Sequence, residues 1–257
     1  MRIHCVQLDI TWEDKAANHA KVRALLHSSR PNREDLVLLP EMFSTGFSMN
    51  VATVADDQTG ADQTFISALA KELQVNLVAG LVTRDSAGKG LNQAMICDPS
   101  GQQIARYTKI HCFSPGKEAL HYRGGSEIAF FDWQGLKVCP FICYDLRFPE
   151  IFRAAVRRGA QLFVIIANWP SLREEHWVTL LRARAIENQA YVAAVNRAGA
   201  DSWLPYPGRS MIIDPKGNVL VDAGSNEKVI SAPISQEAVT SWRQEFAVLR
   251  DMRDTPL

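Results

Sequence analysis

The sequence lacks any excess of charge of one sign. Its 257 residues carry 28 Lys plus Arg against 28 Asp plus Glu. A balanced chain has no general attraction for nucleic acid or an anionic membrane. Arg153, Arg157 and Arg158 fall at helical spacing, which suits a solvated helix face better than a basic patch. Long apolar runs are also missing, and none approaches the ~20 residues of a membrane span. The opening Arg2-Ile-His-Cys-Val-Gln-Leu8 reads as a strand, without the longer apolar stretch of a secretory signal. A cytoplasmic protein with neither nucleic-acid nor membrane partners is the expectation. No Gly/Ser-rich or Pro-rich tract marks a linker, so one domain over residues 1–257 is expected.

Cysteine is scarce and odd in number: Cys5, Cys97, Cys112, Cys139 and Cys143. A disulfide framework is not the reading for so large a chain. Cys139 and Cys143 lie four apart on one predicted strand, roughly 13 Å at strand rise, too far to bridge. No CxxC or Cys/His metal spacing occurs, so no metal site is expected.

The chain does hold recurrent apolar, β-branched runs: Arg2–Ile10, Asp35–Pro40, Val75–Val82, Gln93–Cys97, Ile128–Phe131, Lys137–Ile142, Leu162–Ala167, Tyr191–Asn196, Ser210–Ile213 and Val219–Asp222. These predict strands. Helical patterns lie between several of them. Lys15–Ser29 puts Ala17, Ala20, Leu25 and Leu26 on one face, and Asp62–Gln74 does so with Phe65, Ile66, Leu69 and Leu73. Pro149–Arg158 opens on a proline suited to a first turn. Leu172–Asn188 carries Trp177, Leu180, Leu181 and Ile186. Alternating strands and helices predict an α/β architecture. Asp98-Pro-Ser-Gly101 and Asp214-Pro-Lys-Gly217 predict hairpins inserted into it, and they are the only hint of an internal repeat.

Three residues stand out chemically. Cys143 ends the buried strand in Lys137-Val-Cys-Pro-Phe-Ile-Cys-Tyr-Asp-Leu-Arg-Phe-Pro149 and precedes a helix. A thiol at such an elbow meets free backbone N–H groups, which favour thiolate, and the Tyr144 N–H is placed to face an oxyanion. Glu41 follows Leu36-Val-Leu-Leu-Pro40, just beyond a strand end where ligands gather in α/β sheets. Its apolar neighbours Leu39, Met42 and Phe43 would resist its ionisation and suit it to a base's work. Lys109, at the end of the strand-like stretch after the first hairpin, would hold an oxyanion or favour a thiolate. Each has an ordinary reading as well: a loop glutamate, a surface lysine, a packed cysteine. Asp145 and Arg147 are expected to pair and brace the turn. His111, His121 and His176 suggest a Cys–His alternative, but no local signature of one is present.

Leu-Leu-Pro-Glu-Met-Phe43, Tyr-Thr-Lys-Ile-His111 and Cys-Tyr-Asp-Leu-Arg-Phe-Pro149, in that order, resemble the nitrilase (carbon–nitrogen hydrolase) superfamily. Glu-Met-Phe-Ser-Thr-Gly-Phe47, Glu118-Ala-Leu-His-Tyr122, Ala-Asn-Trp-Pro170 and Leu-Leu-Arg-Ala-Arg-Ala-Ile-Glu-Asn-Gln-Ala-Tyr191 are similar to its bacterial omega-amidase branch. The resemblance implies a four-layer αββα sandwich and a catalytic Glu41, Lys109 and Cys143, with Glu118 orienting substrate and supporting the lysine. It implies hydrolysis of a short dicarboxylate monoamide such as 2-oxoglutaramate through a Cys143 thioester, with no cofactor. Other C–N substrates are the alternative: an aliphatic amide, an N-carbamoyl amine or deaminated glutathione. A non-catalytic protein on the same fold would be expected to have a broken triad. Phe43, Phe47, Asn168 and Trp169 are candidates for the substrate pocket or for core packing, and Arg147 is the nearest charged candidate. Glu187 and Asn188 are expected to brace the site from a helix end. The resemblance also implies a homodimer built on the helices near Pro149–Arg158 and Leu172–Asn188. The segment Trp242–Leu257 would either reach the partner or cover its own core.

Overall fold

The computed structural model describes residues 1–56 and 60–253. Among the described residues fourteen strands run in chain order: β1 Arg2–Gln7, β2 Leu36–Leu38, β3 Asn76–Arg84, β4 Gly90–Cys97, β5 Gln103–Thr108, β6 Phe131–Trp133, β7 Leu136–Ile142, β8 Leu162–Ala167, β9 Tyr191–Asn196, β10 Ala198–Ala200, β11 Pro205–Pro207, β12 Met211–Ile213, β13 Val219–Asp222 and β14 Lys228–Pro233. The helices are α1 Lys15–Ser29, α2 Val51–Val54, α3 Ala61–Leu73, α4 Glu118–His121, α5 Pro149–Arg157, α6 Glu174–Asn188 and α7 Gln236–Glu245. Among the described residues no helix is long and apolar enough to cross a membrane.

Twelve strands form two six-stranded sheets, ordered β14-β1-β2-β3-β4-β5 and β6-β7-β8-β9-β12-β13. Along each order the pairings run antiparallel, parallel, parallel, antiparallel, antiparallel. The two Asp-Pro-x-Gly turns occupy the same place in both sheets, joining β4 to β5 and β12 to β13. In each turn the Asp Oδ1 accepts backbone N–H bonds from two and four residues on, and the Gly takes positive φ, 84° at Gly101 and 86° at Gly217. The hint of a repeat is thus matched by two sheets of one topology.

Strand alternation sorts the layers, because successive side chains face opposite sides of a sheet. In the first sheet Ile3, Cys5, Leu36, Leu38 and Val78 face inward and pack with β7, β8 and β9 of the second. Val6, Val37, Leu39, Leu77 and Ala79 face outward, against Val22 and Leu26 of α1 and Phe65, Ile66 and Leu69 of α3. The second sheet is covered by Phe152, Ala155 and Val156 of α5 and Trp177, Leu181 and Ala185 of α6. The result is the expected αββα sandwich.

Several details differ from the sequence reading. The buried face of α1 is Asn18, Val22 and Leu26, while Ala20 is exposed. Asn18 is buried because its side chain bonds Thr11 and Ser44, a demand that hydrophobicity does not reveal. On α6, Ile186 is half exposed and Arg184 is buried in its place, bonding the Leu146 carbonyl. The predicted strand Ile128–Phe131 is shifted to Phe131–Trp133, where β7 offers a partner. In the segment Trp242–Leu257, Arg243 and Phe246 bond the rest of the chain. Arg243 donates to the carbonyls of Gln189 and Ala160, and Gln189 donates to that of Phe246. Residues 254–257 lie outside the described residues.

Candidate active site

Glu41 sits where the chain leaves the first sheet after β2. Leu39 N–H bonds Val78 O, and Phe43 N–H bonds Gly80 O, so the turn lies directly on β3. A Cβ on Gly80 would stand 2.6 Å from Glu41 Cα, so only glycine allows that approach. Met42 closes the turn at φ 44°, a conformation that is uncommon outside glycine. The turn aims the carboxylate inward. Its Oε1 accepts from Lys109 Nζ at 2.9 Å and Asn92 Nδ2 at 2.7 Å, and its Oε2 accepts from the Asn168 backbone N–H at 2.9 Å. The oxygens therefore face three donors rather than the apolar neighbours the sequence put beside them.

Lys109 follows β5, its own N–H bonded to Asn92 O. Its ammonium is buried between two carboxylates, bonding Glu118 Oε2 at 2.9 Å as well as Glu41. Burial alone would lower the lysine pKa. The charges of Glu118 and Glu41 outweigh burial and hold it well above the ordinary lysine range. Glu118 opens α4 and also accepts from Asn92 Nδ2 at 3.0 Å and from the Phe113 N–H. Asn92 thus ties the two carboxylates together. Sequence reasoning missed it, because Asn92 lies just before the predicted strand Gln93–Cys97 and only the folded chain brings it between the two carboxylates.

Cys143 begins a 3-10 turn over Cys143–Arg147, at the end of β7. Its φ of 48° is left-handed, a sparsely populated conformation for a side-chain-bearing residue and one found at functional sites. The thiol lies within the fields of the Glu41 carboxylate and the Lys109 ammonium. Burial, and then the negative charge of Glu41, push its pKa well above the ordinary thiol range, and Lys109 offsets only part of this. Burial, with two carboxylates around one ammonium, therefore favours the thiol over the thiolate that its position suggested. Tyr144, second in the 3-10 turn, has an N–H without a partner inside that turn.

The thiol opens on a cavity of about 430 Å³ counted out to solvent. Phe47, Phe113, Tyr144 and Trp169 wall it, and Asn168, Leu204 and Tyr206 also reach it. Asn168 does two jobs with Glu41, since its Nδ2 also donates to Glu41 O at 2.6 Å. Phe43 is not part of this wall. It is fully buried among outward residues of the first sheet, near the His19 and Phe65 rings at 5.7 and 6.0 Å. The turn that points Glu41 inward sends Phe43 the other way.

Two guanidinium groups line the cavity. Arg147 lies over the Trp169 ring at 4.7 Å and bonds His176, and Arg173 lies over Phe113 at 5.3 Å. Among the described residues neither pairs with a carboxylate. Burial, and then the charge of Arg173, hold Arg147 below the usual arginine range. Arg173 and Tyr206 were missed, and neither sits in a motif that would have singled it out. Asp145 does not pair with Arg147. It is fully buried and bonded to Tyr107, His111 and Ile142. The Cys–His alternative finds no support, because His111 is held by Asp145, His176 bonds Arg147 and His121 is exposed. Glu187 and Asn188 do bond Arg184, whose guanidinium reaches the elbow at Leu146 O. Among the described residues no group of three His, Cys, Asp or Glu is placed like metal ligands.

A family model described as carbon-nitrogen hydrolase matches residues 2–244. The chain belongs to the carbon–nitrogen hydrolase family. It is 36% identical over 252 residues to a 2-oxoglutaramate amidase of Bacillus subtilis, covering 98% of this chain and 97% of that one. It is 35% identical over 258 residues to the omega-amidase YafV of Escherichia coli strain K12, covering 98% and 96%. Among solved structures it resembles XC1258 of Xanthomonas campestris, a CN-hydrolase superfamily protein with an arsenic adduct in its active site. The TM-score is 0.94 at 37% identity, over 100% of this chain and 98% of that one. Membership in this hydrolase family makes the protein an enzyme that cleaves carbon–nitrogen bonds.

Proposed function

We propose that the protein is a cysteine amidase that hydrolyses a short dicarboxylate monoamide, of the 2-oxoglutaramate or 2-oxosuccinamate type, to the acid and ammonia. One observation carries this reading. A single cavity holds a thiol backed by Glu41 and Lys109 and, with it, two guanidiniums that pair with no carboxylate among the described residues. An amide at the sulfur and a carboxylate at Arg147 and Arg173 would satisfy both ends. Bidentate guanidinium–carboxylate contacts are the strong form of such recognition. The cavity is walled by Phe47, Phe113, Tyr144 and Trp169, which fits a short acyl chain. The names of the relatives above support the same substrate class.

The resting thiol sets the order of events. Glu41 takes the proton as the Cys143 sulfur attacks the amide carbon. The developing oxyanion faces the Lys109 ammonium and the Tyr144 N–H; one such donor is typically worth about 3 kcal/mol. Glu41 passes the proton to the leaving nitrogen, the C–N bond breaks and ammonia departs, leaving a thioester. Glu41 then takes a proton from water as its oxygen attacks the thioester carbon. The second tetrahedral intermediate collapses to the acid, and the proton returns to the sulfur. Glu118 keeps Lys109 charged and aimed throughout. The residues supply every step without a metal or organic cofactor.

The working form we propose is a cytoplasmic homodimer that contacts through α5 and α6. Five free cysteines suit a reducing compartment, and light scattering on the purified protein tests the dimer. Ammonia release from a panel tests the substrate. It contains 2-oxoglutaramate, 2-oxosuccinamate, an aliphatic amide, an N-carbamoyl amine and deaminated glutathione. The monoamides of dicarboxylic acids are expected to lead in kcat/KM. Preference for a neutral aliphatic amide would overturn the substrate assignment while leaving the hydrolytic one in place.

A further inference from the structure

Asp145 is a buried carboxylate that the reaction above does not use. Its Oδ1 accepts two bonds from His111, from the backbone N–H at 2.9 Å and from the ring Nδ1 at 2.9 Å. Its Oδ2 accepts from the Tyr107 hydroxyl at 2.7 Å and from the Ile142 N–H at 3.1 Å. Four donors occupy the carboxylate, and solvent reaches none of it.

The donors come from two parts of the chain. Tyr107 and His111 stand two residues before and two after Lys109. Ile142 immediately precedes Cys143, and Asp145 follows it by two. One carboxylate therefore clips the segment carrying the ammonium to the elbow carrying the sulfur. We infer that Asp145 is a positioning residue that fixes the Lys109 ammonium against the Cys143 sulfur, joining the ends of β5 and β7, one from each sheet.

Three physical points support this. The Cys143 backbone is held at φ 48°, and such a conformation persists only where its surroundings over-determine it. The Ile142 bond pins the residue next to that strain. The two flanking rings are fixed as well: His111 stacks on Phe148 at 3.7 Å and 9°, and Tyr107 meets Phe141 edge-on at 5.8 Å. Finally, a carboxylate is the group this place requires. An ionised Asp only accepts, whereas the Asn amide would turn an NH₂ toward at least one pair of these donors.

The inference rests on the proposed catalytic roles of Lys109 and Cys143. Its test compares Asp145→Asn, Tyr107→Phe and His111→Ala with the wild type and Cys143→Ser. Two quantities are read on the folded fraction: kcat and KM with the best amide of the panel, and the rate of iodoacetamide alkylation at Cys143 by mass spectrometry. A misplacement of ~1 Å can cost about 100-fold, and that loss in kcat is expected for Asp145→Asn, with KM nearly unchanged and alkylation altered. Tyr107→Phe and His111→Ala remove one donor each without opposing donor to donor, and smaller losses of kcat are expected, again without a KM change. Should Asp145→Asn not fold, these two decide. Wild-type kcat and alkylation in the folded variants, or a loss confined to KM, would overturn the inference. An active Cys143→Ser would instead overturn the catalytic reading beneath it. The alkylation arm does not depend on which amide is the substrate.

Discussion

Lys109 Nζ stands 2.9 Å from Glu41 Oε1, and neither side chain reaches solvent. Glu118 holds the same ammonium from its other side at 2.9 Å. A buried ammonium between two carboxylates is a poor device for stability, because desolvation of the charges opposes their attraction. In the mechanism proposed above it serves catalysis. The carboxylates would keep Lys109 charged, and burial together with their residual negative charge raises the pKa of the nearby thiol.

Removing the ammonium should separate these two effects. Lys109→Met leaves two buried carboxylates uncompensated, so unfolding stability should fall by about 3–5 kcal/mol, with kcat down at least ~100-fold. Adding Glu118→Gln removes one of those charges. The double variant should regain much of the melting temperature and none of the activity. Recovery of both together would mean that Lys109 acts only on stability.

The pH dependence has a definite sign. Cys143 is raised above the ordinary thiol pKa of 9.0 and Lys109 above the ordinary lysine value of 10.5. In both cases the folded state keeps a proton that the unfolded chain releases sooner. Their contributions are therefore complete below about pH 9 and about pH 10.5 and are lost as pH rises further. Melting temperature should decline on the alkaline side from about pH 9 upward. Cys143→Ala should flatten the first part of that decline. Alkylation of the free enzyme's thiol should be slow at neutral pH and should quicken as pH rises above the ordinary thiol range.

Strand runs and the places of Glu41 and Cys143 at strand ends were legible in the sequence because they obey local rules. Leu162–Ala167 and Tyr191–Asn196 are unbroken apolar runs and form β8 and β9 at those bounds. Glu41 and Cys143 sit just past strand ends, where a side chain must leave the sheet. What was illegible depends on partners far along the chain. Phe43 packs outward because the turn at Glu41 reverses the side on which side chains emerge. Asp145 looked like a partner for Arg147, two residues away, but it is held by His111 and Tyr107, 34 and 38 residues earlier, as well as by the nearby Ile142 N–H. Arg173 carries no local mark at all; only its approach to the cavity distinguishes it from other arginines.

That approach gives a third prediction. Arg173→Met removes the charge while leaving an apolar chain against Phe113. A hydrogen bond to a charged group is worth about 1.5–3 kcal/mol, so KM for 2-oxoglutaramate should rise by tenfold or more with kcat little changed. Turnover of a neutral amide of the same length should be nearly unaffected. An equal loss on both substrates would remove Arg173 from carboxylate recognition.

Phe43 offers a contrast. It is a core residue in this structure, so Phe43→Ala should cost about 3–5 kcal/mol of stability. The fraction that remains folded should keep its wild-type KM. A raised KM in a variant of unchanged stability would return Phe43 to the substrate pocket.

The most direct measurement is intact-mass spectrometry of the enzyme quenched during turnover of 2-oxoglutaramate, followed by peptide mapping. The account predicts one acyl adduct, on the peptide containing Cys143 and absent from Cys143→Ala, which should release no ammonia. Undiminished ammonia release by Cys143→Ala, or an adduct carried by a different cysteine, would contradict it.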